Sequence, residues 1–290
     1  MGYLLIVSLI WAFSFGLIKD NLTGVDSTFV AFVRLFVAAL VFLPFIRFKK
    51  IDGKTAIKLA FTGLVQFGVM YIAYLAAFRA LKAYEVALFT IFTPIFVTLI
   101  NDAFSKRFNL LHLGVALITV AGTAVIEWEA IQTPGVLSGF LLVQLSNLCY
   151  AFGQIYYSRL MAKQPGLKDR EVFGYLYLGA VAITGLAMLF FTPFESLELT
   201  LKQTVTLLYL GIIASGVAFF LWNIGARRVN AGTLAVFNDL KIPLAVAVSL
   251  LVFSESTDLP RLFIGGGIII GALILNEWIS KKSPTKLTTG

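Results

Sequence analysis

Two cations interrupt long apolar runs: Arg34 within residues 27–46 and Lys241 within residues 231–253. If those runs lie in lipid, a charge near the bilayer centre costs at least about 2.5–3.5 kcal/mol on insertion scales. Each then needs a partner, water or a task. The task that suits a buried cation is steadying a substrate carboxylate. The other reading of Arg34 is a structural cation held by backbone carbonyls or an acid. The other reading of Lys241 is a buried ion pair. Lys241 sits about ten residues from either end of its run, too deep to snorkel easily.

Asn238 lies three residues from Lys241 and shares its helical face, as Thr90 does with Thr93. Pro243 removes the N–H that would pair with the Asp239 carbonyl, and Pro94 does the same for Thr90. Opened backbone beside a midplane cation suits a transport site. Asp239 points about 160° away from Lys241 on an intact helix. It can pair with Arg34 or act as a protonatable coupling group. Glu85 is a second coupling candidate, or a helix N-terminal carboxylate favoured by the dipole. Gln144, Asn147, Ala151, Gln154 and Ser158 fall within about 80° of arc on one helix. Such a stripe lines a wet cavity or bonds neighbouring helices. Trp11, Tyr74, Tyr150 and Trp222 can cage an amine or apolar group, or simply pack.

The elements that position these residues follow from composition. Of 290 residues, 59% are apolar and 13% charged, against roughly 45–50% and about 25% in soluble domains. The mean hydropathy is +0.91. An ordinary soluble domain, a disordered chain and a disulfide-stapled module are excluded. Ten apolar runs are expected as helices at 2–18, 27–46, 55–78, 85–103, 110–126, 136–159, 172–192, 203–224, 231–253 and 260–279. One span takes about 20 residues, so no room remains for a soluble catalytic domain. The fold class is an all-α polytopic membrane protein. Residues 2–18 lack a basic leader and a small-residue cleavage site, which makes them a retained first span.

The net charge of +8 reads as loop cations that set topology, not as a nucleic-acid surface. With a cytoplasmic N-terminus, sixteen of the 23 Lys and Arg residues fall on the cytoplasmic side and five outside. Both termini are therefore expected in the cytoplasm, with the body in the plasma (inner) membrane. One cysteine, Cys149, and one histidine, His112, leave no internal disulfide and no His/Cys metal cluster. The chain lacks a Gly-x-Ser-x-Gly motif and a phosphate-binding Gly-x4-Gly-Lys loop, so neither an enzyme nor a primary pump is expected, and no cofactor. Gly114, Ala121 and Gly122 in the fifth span, and Gly267 and Gly271 in the tenth, suggest scaffold or a homodimer contact.

The third and eighth spans repeat. Gly63, Gly68, Tyr71 and Tyr74 match Gly211, Gly216, Phe219 and Trp222 at the same spacings. Arg79 then falls on Arg227, Phe89 on Phe237, and Pro94 on Pro243 with a one-residue offset. Trp11-Ala12-Phe13 resembles Tyr150-Ala151-Phe152. Five spans per half mean that the halves enter the membrane from opposite sides, an inverted-topology repeat. The divisions expected are 1–134, 135–280 and a cytoplasmic tail at 281–290.

With Arg34-Leu35-Phe36-Val37-Ala38-Ala39, Pro94-Ile95-Phe96-Val97, Pro243-Leu244-Ala245-Val246, Ser254-Glu255 and the Gly265 to Gly271 cluster, the chain resembles the drug/metabolite transporter superfamily, EamA-type ten-helix branch. It departs near Lys106, where the glutamate that usually closes the fourth span is replaced. The resemblance implies two bundles around a cavity lined by spans 1, 3, 4, 6, 8 and 9. It also implies export or exchange of a small metabolite. An amino acid or related carboxylate, moved by alternating access and with protons as a coupling ion, is the substrate reading that follows. An uncoupled channel or a metabolite-sensing receptor is the alternative.

Overall fold

In lipid the backbone must satisfy its own polar groups, so long apolar stretches become helices. The computed structural model describes residues 2–106, 135–229 and 231–254, with scattered positions in 114–121 and 258–278; the side chains of Ser196, residues 231–236 and residues 238–240 are not described. Eight helical rods are described. They are α1 (Gly2–Asn21), α2 (Ser27–Phe45), α3 (Gly53–Ala77), α4 (Ala83–Ser105), α5 (Val136–Ala162), α6 (Asp169–Phe191), α7 (Leu201–Arg227) and α8 (Ala231–Leu251). The first seven are long and apolar enough to cross a membrane. The spans expected at 110–126 and 260–279, their dimer role, His112 and the tail lie almost wholly outside the described residues.

Polar residues stop and start the rods. The Asp26 carboxylate caps α2 by accepting from the N–H groups of Thr28 (3.1 Å) and Phe29 (3.0 Å). Asp52 caps α3 through the Thr55 N–H at 3.0 Å. Thr200 and Gln203 form a reciprocal capping box on α7. Lys106 ends α4 in the left-handed conformation, φ 52°.

The described rods alternate in direction except for α4 and α5, which run parallel: Arg159 at the end of α5 bonds Asn101 and Ser105 at the end of α4. Contacts sort the rod ends onto two faces. On the face where the chain begins (the N-terminal face), Lys50 meets Glu171 at 3.0 Å and Arg227 pairs with Asp169. On the opposite face, Arg79 meets Asp26 at 3.1 Å and Lys202 meets Asp20 at 3.1 Å. Along the rods, apolar side chains face outward and the cations Arg34 and Lys241 face inward. Phe190 is 79% exposed, whereas Arg34 is 2% exposed. That inversion of a soluble protein's pattern is what lipid selects.

The two halves interlock. α6, from the second half, lies along α3 of the first, while α2 of the first lies along α7 of the second. The α3–α6 crossing is backbone to backbone. A Cβ on Gly63 would fall 1.8 Å from the Leu176 carbonyl oxygen, and one on Gly179 would fall 1.8 Å from that of Ala60. Only glycine permits this approach. Both α3 and α7 widen into a π-helical segment, Leu64–Val69 and Leu210–Val217. These segments begin just after Gly63 in α3 and just before Gly211 in α7, within the matched stretches of the internal repeat. Rods α1, α3, α4, α5, α7 and α8 surround the centre of the bundle, where the polar residues gather.

Candidate functional site

A cavity opens among six of the rods and one residue of a seventh. Its wall takes Trp11, Ser14 and Phe15 from α1, Arg34 from α2, and Met70, Tyr71 and Tyr74 from α3. Thr90 and Thr93 come from α4, Ser146, Asn147 and Tyr150 from α5, Phe219 from α7 and Lys241 from α8. These are the six spans the family resemblance implies, with Arg34 added.

Arg34 is anchored on one side only. Its Nε donates to Ser215 Oγ at 3.1 Å and its Nη2 to Tyr71 OH at 2.8 Å. Its guanidinium carbon stands 4.4 Å from the centre of the Tyr71 ring. Tyr71 OH and Ser215 Oγ are 3.1 Å apart, which closes the triangle. Ser215 lies in the π segment of α7, and Tyr177 OH bonds the backbone carbonyls of Ser215 and Gly216 there. Among the described residues Nη1 of Arg34 has no hydrogen-bond partner and no carboxylate pairs with this arginine; the Asp239 side chain, a partner expected from the sequence, lies outside them. A guanidinium held by two hydroxyls, without a counter-charge in the described structure, is an anion site in electrostatic terms.

Lys241 approaches from the other side. Its Nζ stands 5.5 Å from the Trp11 ring centre and 5.8 Å from that of Tyr150, within cation–π range. Its helical neighbours Asn238 and Asp239 lie outside the residues whose side chains are described.

The break at Pro94 is filled from α5. α4 is α-helical over Ala83–Phe89, tightens to a 3-10 turn over Thr90–Phe92, and resumes at Thr93–Ser105 with Pro94 in its first turn. The Thr90 carbonyl, which Pro94 cannot serve, accepts the Thr93 backbone N–H across the 3-10 turn and the Thr93 hydroxyl at 2.7 Å. Asn147 Nδ2 reaches the Phe89 carbonyl at 2.9 Å, and Gln144 Nε2 reaches it at 3.3 Å. Asn147 Oδ1 lies 3.2 Å from the Thr93 hydroxyl, as a second acceptor for its one proton. Thr90, Thr93 and Asn147 therefore both line the cavity and splice the broken helix. Gln144 joins the splice without lining the cavity.

Aromatic rings close the cavity toward the N-terminal face. Trp11 lies 5.0 Å from Phe219 and 5.0 Å from Trp222, and Phe67 lies 4.8 Å from Phe219, centre to centre. Trp11 is fixed by its Nε1–H on the Ala214 carbonyl at 3.0 Å. Tyr74 sits on the cavity wall beside Phe15 and Tyr71. Neither Trp222 nor Gln154 lines the cavity. Trp222 forms the underside of this floor, and its Nε1–H donates to Oε1 of Gln154 beneath it at 3.1 Å. Glu85 is far from the cavity's centre in another sense: it is buried at the start of α4, where its carboxylate accepts the Lys82 backbone N–H at 2.7 Å.

Ser14, Met70, Tyr71, Ser146 and Phe219 escaped the sequence reading as cavity residues. The signal for two of them was present: Tyr71 and Phe219 are matched positions of the internal repeat.

The chain has relatives. The model of the EamA-like transporter family matches residues 1–128 and again 137–277. A protein named "Probable biotin transporter" from Pseudomonas aeruginosa is 41% identical over 279 residues, covering 96% of this chain and 97% of the relative. One named "Biotin transporter" from Escherichia coli K12 is 36% identical, covering 98% and 95%. A similarly named protein of Salmonella typhimurium is also 36% identical over nearly its full length. A solved crystal structure superposes at a TM-score of 0.69 over 97% of both chains, at 19% identity, and so shares the fold.

Proposed function

The chain belongs to the EamA-like transporter family, and from that premise we propose that it carries biotin, or a carboxylate closely like it, by alternating access around the central cavity. It is a multi-pass membrane transporter, not an enzyme. The observation that carries the substrate reading is Arg34: a guanidinium 2% exposed, tethered by Ser215 and Tyr71, whose Nη1 has no partner among the described residues. A carboxylate supplies both the missing acceptor and the missing charge. The aromatic walls suit the alkyl chain and thioether ring of biotin. Biotin thus falls within the carboxylate class expected from the sequence and replaces an amino acid as the favoured substrate. Lys241 helps to attract the anion from across the cavity. The excess of Lys and Arg on the loops expected there supports a cytoplasmic N-terminal face in a plasma (inner) membrane.

The test is uptake of tritiated biotin into proteoliposomes holding the full-length protein. Saturable uptake is expected, accelerated by biotin preloaded on the other side, as a carrier shows and an open channel does not. Arg34→Ala is expected to weaken binding at least tenfold, the loss of a charge-assisted hydrogen bond of about 1.5–3 kcal/mol. Biotin methyl ester should compete poorly with wild type. Wild-type protein that neither binds nor moves biotin would sink this reading.

A further inference from the structure

Beneath the aromatic floor, four polar side chains are sealed from the cavity: Gln66 of α3, Gln154 and Ser158 of α5, and Asn223 of α7. Each is at most 5% exposed. Neighbouring bonds decide which way both glutamine amides face. Trp222 Nε1–H can only donate, so the Gln154 oxygen meets it and the Gln154 nitrogen points elsewhere. Asn223 Nδ2 donates to the Phe219 carbonyl at 2.9 Å, which leaves its oxygen for the Gln66 nitrogen at 3.3 Å. The Gln66 oxygen is then left over.

The consequence is a matched set. One acceptor (Gln66 Oε1), one donor (Gln154 Nε2) and one hydroxyl (Ser158 Oγ) have no partner among the described residues. Such atoms are costly and few in native structures. The site is also built to hold them. A Cβ on Gly153 would fall 2.2 Å from Gln66 Cβ, so glycine on α5 makes the room that Gln66 occupies. Gln66 itself sits in the π segment of α3, a feature frequent at functional sites. No ionisable group belongs to the set, so its ligand is neutral.

We propose that this cluster is a second station on the substrate path, taking a neutral group that both donates and accepts hydrogen bonds, a cyclic urea in the first instance. The proposal rests on the biotin reading and deepens it. Biotin carries a carboxylate at one end and a ureido ring, with two N–H groups and one C=O, at the other. Arg34 suits the first above the floor; Gln66, Gln154 and Ser158 suit the second below it. The ring reaches this station when the Trp11–Phe219–Trp222 floor parts toward the N-terminal face. The station therefore selects the ureido ring during translocation, not during first capture.

The experiment uses full-length protein in proteoliposomes with tritiated biotin, and equilibrium binding in detergent. Gln66→Met removes the acceptor and Gln154→Met the donor. Ser158→Ala removes only a hydroxyl with no described partner, so it tests the station without threatening the fold. Each glutamine variant is expected to slow translocation about tenfold and Ser158→Ala about threefold, with binding affinity held within about twofold. Imidazolidin-2-one, a cyclic urea without a carboxylate, is expected to raise the Tm of wild type but not of the Gln66→Met/Gln154→Met double variant. Unchanged translocation in all three variants would overturn the station. So would equal loss of binding and translocation with a lowered Tm, which marks packing alone. If wild type moves no biotin, the substrate reading falls and the imidazolidinone arm decides by itself: a Tm rise lost in the double variant supports the station, and no rise overturns it.

Discussion

The two halves of the molecule carry the same ion pair in different surroundings. The internal repeat sets Arg79 against Arg227. Arg79 pairs with Asp26 at the head of α2, and Arg227 with Asp169 at the head of α6. These acids begin the second rod of each half, so the inverted repeat has placed one pair at each membrane face. On the opposite face the arginine side chain is 65% exposed and the acid 12%. On the N-terminal face the values are 26% and 22%. A groove lined by Lys19, Thr23, Ser27 and Arg79 keeps the first arginine in water. The second pair is packed, and Tyr157 OH adds a bond to Asp169 at 2.7 Å. Duplication copied the chemistry, while packing set how much solvent screens it.

The difference can be broken in order of size. Asp169→Ala should cost most, about 2 kcal/mol, because it strips a partly buried, charge-assisted network and leaves Arg227 and Tyr157 without their shared acceptor. The check is Tm in detergent, with Asp169→Asn recovering part of the loss. Asp26→Asn should cost about 1 kcal/mol at neutral pH, because asparagine still caps α2 but carries no charge for the helix N-terminus and Arg79. Its cost should also depend on pH. Burial pushes the Asp26 carboxyl up, but bonds from Thr28, Thr192 and the Phe29 N–H, with the Arg79 charge, outweigh it and hold it below its ordinary 3.8. A carboxyl lowered on folding contributes stability above its unfolded value, and that contribution disappears as pH falls through the folded one. The Tm gap between wild type and Asp26→Asn should therefore close below pH 3.8, and a gap constant down to pH 2 would contradict the assignment. Arg79→Ala should do least, about 0.5 kcal/mol, and the effect should fade with added salt. A larger loss there than at Asp169 would reverse the comparison.

Much of the architecture was legible in the residues, because lipid punishes polar groups so heavily. All eight described rods fall where apolar runs were expected, and Arg34, Lys241, Thr90, Thr93 and Asn147 meet at one cavity. What periodicity cannot express is depth. Asn147 and Gln154 share a helical face, yet the aromatic floor passes between them. The π segments add a second obstacle, since the wider turn shifts every later residue of α3 and α7 off the ideal wheel. Glu85 shows a third. A carboxylate at a rod's start reads equally as a coupling acid or a cap, and only the bond to the Lys82 N–H exposes its structural work.

The crossing of α3 with α6 and of α2 with α7 also has a meaning for biosynthesis. A chain released into the bilayer from its N-terminus has made Gly63 long before Gly179, and Arg34 long before Ser215. Until residues near 215 arrive, the guanidinium has neither its serine tether nor the floor beneath it. In the first half alone, Arg34 lacks the Ser215 bond that tethers it in the complete bundle. The bundle is thus completed by closure of two incomplete halves upon each other, and the central cavity, lined from both, exists only once the second half has arrived.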